Sequence, residues 1–365
     1  MTRALALARK GQALASPNPM VGCVIVKNGR VVGQGFHTYE GRKHAEMLAL
    51  QQAGHAARGA TLYLNLEPCC HTGRTGPCAD AIIAAGVKRV VAAMRDPNPR
   101  VSGRGFAQLR RAEVRVTVGV RQAEARQLNE GFAHCIRTGR PLVTLKAAIS
   151  RDWQIAGPAG SKQPGSATWI TSPASRAEVQ RMRHAADALL TGIGTVLADD
   201  PRLSDRTGRP RRRPLLRVVL DSRLRLPLRS KVVRSAANDV LVFTSAPPDS
   251  PRARALRRTG VEVLRAKTRA QRIDLRAVIR ELGRRGILNL LIEGGAELNR
   301  AALLGGVVDR LVLFVAPKRL GRGVPFVAGG RATLAKIAPL ARVTTRRFGP
   351  DTCVAGYFRD VYRDH

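Results

Sequence analysis

His44-Ala45-Glu46, then Leu66-Glu67-Pro68-Cys69, then Pro77-Cys78-Ala79 form the stretch that decides the fold of the first part of this 365-residue chain. One histidine, one glutamate that need not touch metal and two thiols are the parts of a zinc-activated hydrolytic deaminase. A catalytic zinc takes three protein ligands and leaves a fourth position for water, whose pKa it lowers to roughly 7. His44, Cys69 and Cys78 are the candidate ligands. A carboxylate outside the ligand set must take a proton from the water and return it to the ring nitrogen and the departing ammonia, and Glu46 suits that role. Two other readings stay open on these residues alone. Cys70 and His71 offer rival ligands, and the thiols could form a structural zinc loop or be simply buried. Cys23, Cys135 and Cys353 read as core residues.

The flanking sequence predicts the frame. Val21-Gly22-Cys23-Val24-Ile25-Val26 and Val31-Val32-Gly33 surround Asn28-Gly29, a two-residue hairpin signal. A helix is expected over Ala45–Ala53, a strand over Thr61–Leu66, and a helix from Ala79 closed by Gly86. Both ligand groups therefore open helices. At such a position the helix dipole would lower the Cys78 thiol pKa and favour the thiolate.

The spacing of the two cysteines departs from the general Pro-Cys-x-x-Cys half of the deaminase signature, since Cys70-His71-Thr72-Gly73-Arg74-Thr75-Gly76-Pro77 lies between them. That longer loop resembles the pyrimidine deaminase half of the bifunctional deaminase-reductase family of riboflavin biosynthesis. Ser16-Pro17-Asn18-Pro19-Met20-Val21-Gly22, Gly59-Ala60-Thr61, Asp96-Pro97-Asn98-Pro99 and Gly103-Arg104-Gly105 carry the resemblance over residues 1 to about 140. It implies a cytidine-deaminase-like three-layer α/β/α domain at 1–140, with Asn18, His37, Arg74 and Asn98 lining the substrate pocket. Arg74 has the charge to meet a phosphate.

Length demands a second domain, and Arg137-Thr138-Gly139-Arg140-Pro141 is its expected boundary. Beyond it, strand-like runs at Leu142–Ile149, Ala188–Leu190, Leu215–Leu220, Val240–Phe243, Ile287–Ile292 and Leu311–Val315 alternate with helical stretches, including a capped helix from Pro173 to His184, which argues α/β. Lys146, Ser150, Asp152, Trp169-Ile170-Thr171-Ser172, Gly194-Thr195-Val196-Leu197-Ala198-Asp199-Asp200-Pro201-Arg202-Leu203, Asp221-Ser222 and Glu293-Gly294-Gly295 are similar to the reductase half of the same family. The resemblance implies a dihydrofolate-reductase-like α/β domain at 141–365 that binds NADPH. It places Ala148, Trp169, Thr195, Asp199, Ser222 and the segment Gly295, Ala296, Glu297, Leu298, Asn299, Arg300, Ala301 near the cofactor. It places Arg183, Leu203, Arg206 and Glu293 near the substrate, with Arg183 and Arg206 able to grip a phosphate. Where the family has Leu-Asp-Gly after the serine matching Ser150, this chain has Arg151-Asp152-Trp153, so a bulky aromatic replaces a glycine. The stretch Gly157–Gly165 is longer than usual, and Ala167 stands where the family has serine.

The implied function has two steps on one phosphorylated pyrimidine: hydrolytic deamination with Zn2+, then NADPH-dependent reduction of a ribosyl to a ribityl chain. Composition supplies a rival. A formal net charge of +37 favours polyanion partners, and related zinc deaminases act on tRNA bases, so a nucleic-acid base deaminase with a basic accessory domain is the alternative. Aromatic residues are 4% of the chain, which gives few stacking platforms, and arginine is scattered through both halves; both weigh against nucleic acid. Met1–Ala15 reads as a short amphipathic helix without a secretory core, and the chain begins close to it, as if a few residues preceded it. With no long apolar run and six cysteines, the expectation is a cytoplasmic enzyme with no membrane association. The resemblance implies a homo-oligomer.

Overall fold

The computed structural model describes residues 1–41, 43–71, 76–158, 169–269, 272–337 and 339–362. The chain divides into two compact units, one built from 1–139 with 210–213 and the end of the chain around Tyr362, the other from 140–209 and 214–361.

In the first unit five strands lie in the order Arg30–Phe36, Gly22–Lys27, Thr61–Leu64, Arg89–Ala92, Arg115–Val118. The first two pair antiparallel and close on Asn28 and Gly29, both at positive φ (51° and 73°), as a type I′ turn requires. The strand Gly22–Lys27 is an unbroken apolar run because both of its faces are covered. Ala4 and Leu7 of the helix Thr2–Arg9 pack on Val24. On the other face, Ala49 and Ala53 of the helix Ala45–Ala53 and Ile82 of the helix Cys78–Ala84 pack on Ile25 and Leu62. This is the expected three-layer arrangement. The N-terminal helix is shorter than its sequence suggests, ending at Arg9, and Ala13 stands at φ 60°. Cys23 and Cys353 are buried as expected, whereas Cys135 is only half-buried on the helix Glu130–Thr138.

One contact fixes the height of the first ligand-bearing helix. A Cβ on Gly33 would lie 2.1 Å from the Ala49 carbonyl oxygen, and one on Gly35 would lie 2.6 Å from that of Ala45. Glycines on the strand facing alanines on the helix let the two backbones touch.

The second unit is built on nine strands in the order 261–265, 240–244, 216–220, 188–192, 289–292, 142–149, 310–315, 351–357, 341–348. The first seven run parallel and the last two form an antiparallel hairpin at the edge. Apolar layers cover both faces, with Leu145, Leu190 and Leu290 on one side and Leu189, Val219 and Leu291 on the other. Each expected strand is present within a residue or two. The strand 261–265 and the hairpin 341–357 were not anticipated, because both sit at sheet edges; the outer strand 341–348 is exposed along nearly its whole length and shows no alternation to read. Several arginines act here as internal ties. Arg217 is buried and donates to the carbonyls of Arg202 and Ser235, to the Ser235 hydroxyl and to Asp239. No helix among the described residues is long and apolar enough to cross a membrane.

Gly33→Ala forces a methyl group into the Ala49 backbone, and overpacking of this kind costs about 1–3 kcal/mol. The first unit is expected to unfold at lower urea concentration and to lose bound zinc faster, while unfolding of the second unit is unchanged. Unaltered zinc retention and stability in that variant would show that the helix height is set elsewhere.

Candidate functional site

His44 caps the helix Ala45–Ala53 and Cys78 is the first residue of the helix Cys78–Ala84, so two helix starts aim at one point. Cys69 reaches the same point from the loop after the strand Thr61–Leu64, and its carbonyl accepts the Ala79 amide while its sulfur accepts that of Cys78 at 3.3 Å. The donor atoms of His44, Cys69 and Cys78 all lie within 4.8 Å of one another. His44 Nδ1 is 3.2 Å from Cys78 Sγ and 3.5 Å from Cys69 Sγ. The N–S edge of a tetrahedral zinc site is about 3.6 Å for ordinary bond lengths. One nitrogen and two sulfurs at these separations fit zinc, and neither Cys70 nor His71 joins the cluster among the described residues.

The electrostatics divide the roles. Cys69 is drawn down to about 4, first by the hydrogen bond from Cys78 and then by His44. Cys78 is pushed up by the same shared proton, by burial and by Glu46. The two thiols share one proton, and the buried thiol beside a carboxylate keeps it. Glu46, on the first turn of the His44 helix, is 3% exposed, and its Oε2 has no hydrogen-bond partner among the described residues. Burial pushes its carboxyl up, the direction a group needs if it is to hold a proton near neutrality.

Of the four expected pocket residues, two stand beside this centre. His37 Nδ1 is 3.1 Å from the Lys43 carbonyl, which makes it the donor there and leaves Nε2 to accept from Asn18 Nδ2 at 3.0 Å. The His37 and His44 rings meet edge-on at 5.4 Å. Asn98 lies in the turn after the strand Arg89–Ala92, where its side-chain oxygen accepts the Arg100 amide. Arg74 lies outside the described residues. Three buried side chains that the sequence reading did not single out hold the surrounding backbone. Asn65 accepts from Gly22 N and donates to Met20 O, Asn129 does the same to both polar groups of Met20, and Glu67 accepts amides from the 96–106 segment. An asparagine and a glutamate interrupting the apolar run around Leu64 and Leu66 were the signal.

In the second unit the expected cofactor residues Ala148, Thr195, Ser222 and Gly295 all fall at or just beyond the carboxyl ends of parallel strands, where ligands bind in open α/β sheets. A Cβ on Gly295 would meet Thr195 Oγ1 at 3.8 Å, so the starts of the helices Ile193–Asp199 and Ala296–Leu304 converge. Asp199 ends the first of these helices. Trp169 is 54% exposed, with the Arg176 guanidinium 4.8 Å over its ring. Within 295–301 the residues do not act alike. Asn299 is fully buried and donates to the Phe326 carbonyl, facing the core, whereas Glu297 points outward to Arg272. Leu203 is buried in the core at φ 56°, so its backbone is what it can offer a ligand.

Arg183 meets Glu293, another of the residues expected near the substrate. Its Nε and Nη2 both donate to Glu293, at 2.8 and 2.9 Å, and its Nη1 donates to the Ser204 carbonyl. The fork expected to grip phosphate is occupied by a carboxylate. Lys146 Nζ stands 3.7 Å from the same carboxylate. Burial alone would push Glu293 up, but Arg183 and Lys146 together hold it at about 2. The Arg206 guanidinium is exposed and has no hydrogen bond among the described residues, its backbone amide being fixed by Gln180. Trp153 adopts φ 64° where the family has glycine. Asp152 beside it accepts from Ser150 Oγ and from the Leu320 and Gly321 amides, which hold its carboxyl at about 2. Most of the long 157–165 stretch, and Ala167, lie outside the described residues.

The Glu293 carboxyl is lowered from an ordinary 4.5, so its contribution to stability is present above that value and is lost as the pH falls toward 2. Glu293→Gln should remove that acid dependence from the second unit and, by taking away the carboxylate that Arg183 and Lys146 share, destabilise it at neutral pH by about 3 kcal/mol. Urea unfolding of both proteins at pH 7 and pH 3 measures both effects; equal loss at the two pH values would remove Glu293 from the linkage.

Two family models match. Residues 1–94 match the cytidine and deoxycytidylate deaminase zinc-binding region, and residues 141–354 match the RibD C-terminal domain. The riboflavin biosynthesis protein RibD of Actinobacillus pleuropneumoniae is 44% identical over 88% of this chain and 84% of its own length. That of Aquifex aeolicus is 40% identical over 97% of this chain and 96% of its own. Among solved structures, Acinetobacter baumannii RibD superposes with a TM-score of 0.85 at 36% identity, covering 98% of this chain and 97% of that one. The diaminohydroxyphosphoribosylaminopyrimidine deaminase/5-amino-6-(5-phosphoribosylamino)uracil reductase of Thermotoga maritima gives 0.83 at 34% identity, with the same coverage. With a zinc-donor triad in one α/β unit, a parallel sheet with glycine-opened helix starts at its strand ends in the other, and relatives this similar over nearly the whole chain, this protein belongs to the RibD family of riboflavin biosynthesis enzymes.

Proposed function

We propose that the first unit deaminates diaminohydroxyphosphoribosylaminopyrimidine and that the second reduces the ribosyl chain of the product with NADPH, the domains meeting in sequence near residue 140. The observation that carries this reading is the triad His44, Cys69 and Cys78 with a buried, half-unpartnered Glu46 one residue into the same helix as a ligand. Zinc, when bound, supplies the Lewis acidity that makes water a nucleophile near neutral pH. Glu46 takes the proton at Oε2 and returns it to the ring nitrogen and the leaving amine; its raised carboxyl pKa lets it hold the proton in between. His37, fixed in one tautomer, and Asn18 present polar edges to the pyrimidine.

In the second unit the glycines at 294 and 295 let backbone amides approach a cofactor phosphate at the start of a helix, and Trp169 offers an exposed ring face. NADPH carries the hydride, and the protein orients it. Arg206 is the residue for the substrate phosphate, while Arg183 holds Glu293 in place. A tRNA-base deaminase is not favoured: the relatives are deaminase-reductases along nearly their full length, and a reductase domain has no part in editing a base.

Mass spectrometry of the phosphoribosylated diaminopyrimidine incubated with zinc-loaded protein should show amino replaced by oxo without NADPH, and a further two-hydrogen gain only when NADPH is present. Starting material left unchanged under both conditions would sink the assignment. Glu46→Gln should keep its zinc and its NADPH affinity and lower ammonia release by at least about a hundredfold. Arg206→Ala should raise the KM of the reductase step with little change in deamination, whereas parallel loss of both activities would argue against separate sites.

A further inference from the structure

Glu67 is a buried carboxylate, 3% exposed, two residues before a zinc ligand, and no lysine or arginine pairs with it among the described residues. Its partners are four backbone amides. Oε2 accepts from Asp96 N at 3.1 Å and Gly103 N at 2.8 Å, and Oε1 accepts from Gly105 N at 3.0 Å and Phe106 N at 3.2 Å. Those amides bracket the turn Asp96-Pro97-Asn98-Pro99 on one side and open the helix Arg104–Arg111 on the other. The segment is also pressed onto the loop that carries Cys69, since a Cβ on Gly105 would lie 2.2 Å from the Pro68 carbonyl oxygen. Inside the turn, Asp96 Oδ1 accepts Asn98 N, and Val101 and Ser102 both donate to the Asn98 carbonyl. Asn98 thus has its whole backbone fixed and its side-chain oxygen bound to Arg100 N, while its amide NH2 has no hydrogen bond among the described residues.

A buried anion whose acceptor sites are filled by amides of one loop costs about 1–3 kcal/mol or more to disturb, because each orphaned group keeps its full desolvation penalty. Glu67 lies outside the metal-donor cluster, and the other side chain that fixes the Asn98 backbone, Asp96, belongs to the turn itself, so the Glu67 carboxylate joins the turn to the loop that carries Pro68 and Cys69. We propose that Glu67 is a positioning residue of the deamination step, holding the Asn98 turn at the pyrimidine pocket in register with the zinc-ligand loop. This rests on the deaminase reading above and on Asn98 as a pocket residue.

The test begins with wild-type protein; absence of deamination there defeats the functional reading and leaves nothing for Glu67 to position. Given wild-type turnover, Glu67→Gln keeps the size of the side chain but turns an NH2 toward two of the four amides. The expected result is a deaminase KM raised about tenfold, with zinc content and reduction of the deaminated intermediate unchanged. Asn98→Ala should raise KM similarly, and the double variant should be no worse than either single one, as two residues acting through one contact require. Additive losses, or an unchanged KM in Glu67→Gln with zinc retained, overturn the proposal. If Glu67→Gln loses zinc, Glu67→Asp, which keeps the charge and shortens the reach, decides: a raised KM with zinc intact supports positioning of the turn, whereas zinc loss in both variants assigns Glu67 to holding Cys69 instead.

Discussion

A helix can rest on a strand with its backbone almost in contact only where neither carries a side chain larger than methyl at the crossing, and everything in the first unit follows from such a crossing. Gly33 and Gly35 on the strand, with Ala45 and Ala49 on the helix, set how deep the helix sits. Its N-terminus, and with it His44, is thereby placed level with the loop that presents Cys69 and with the start of the helix at Cys78. Metal geometry tolerates errors of only a few tenths of an ångström, so the ligands must be delivered by elements whose separation cannot drift. The close packing supplies that constraint from residues that do no chemistry.

The second unit reaches an equivalent end by charge. Glu293 follows a central strand directly and is gripped by Arg183 from one helix and approached by Lys146 from the neighbouring strand. Three buried charges that satisfy one another are costly to assemble and costly to break, and they lie beside the glycine turn where the strand ends converge. Arg183 and Glu293, both expected near the substrate, are thus held by one another in this frame.

Much of this was legible from the residues. The Asn28-Gly29 hairpin, the helix from Ala45 to Ala53 and the zinc donors were readable because turn chemistry, capping and ligand spacing are local. The central strands of the second unit were readable because buried parallel strands are continuous apolar runs. What escaped notice was non-local or lacked pattern. The edge hairpin at 341–357 exposes one strand almost entirely, so no alternation marks it. The pairing of Arg183 with Glu293 spans 110 residues, and only their spatial meeting shows that the guanidinium is already occupied. Glu67 stood in plain view inside a recognisable run, but a glutamate's four amide partners cannot be inferred without the loop that brings them. Trp153 was visible as a departure from glycine, and the structure shows it at φ 64°, in the left-handed region that favours glycine, so the loop bears the strain of a side chain there.

His44 and Glu46 sit two residues apart on one helix start, so the proposed metal ligand and proton carrier share a rigid mount. Thermal sliding of that helix changes the distance from both to the cysteine sulfurs but leaves their mutual offset almost untouched. In the proposed deamination the proton would therefore start and finish at one bearing from the histidine, in the frame of a single turn of helix rather than of the domain. A site wired in this way trades tolerance of sheet breathing for intolerance of any change in the phase of that one turn: a single residue inserted between the two would rotate the carboxylate about 100° around the helix axis and disconnect it, even with every ligand still in place.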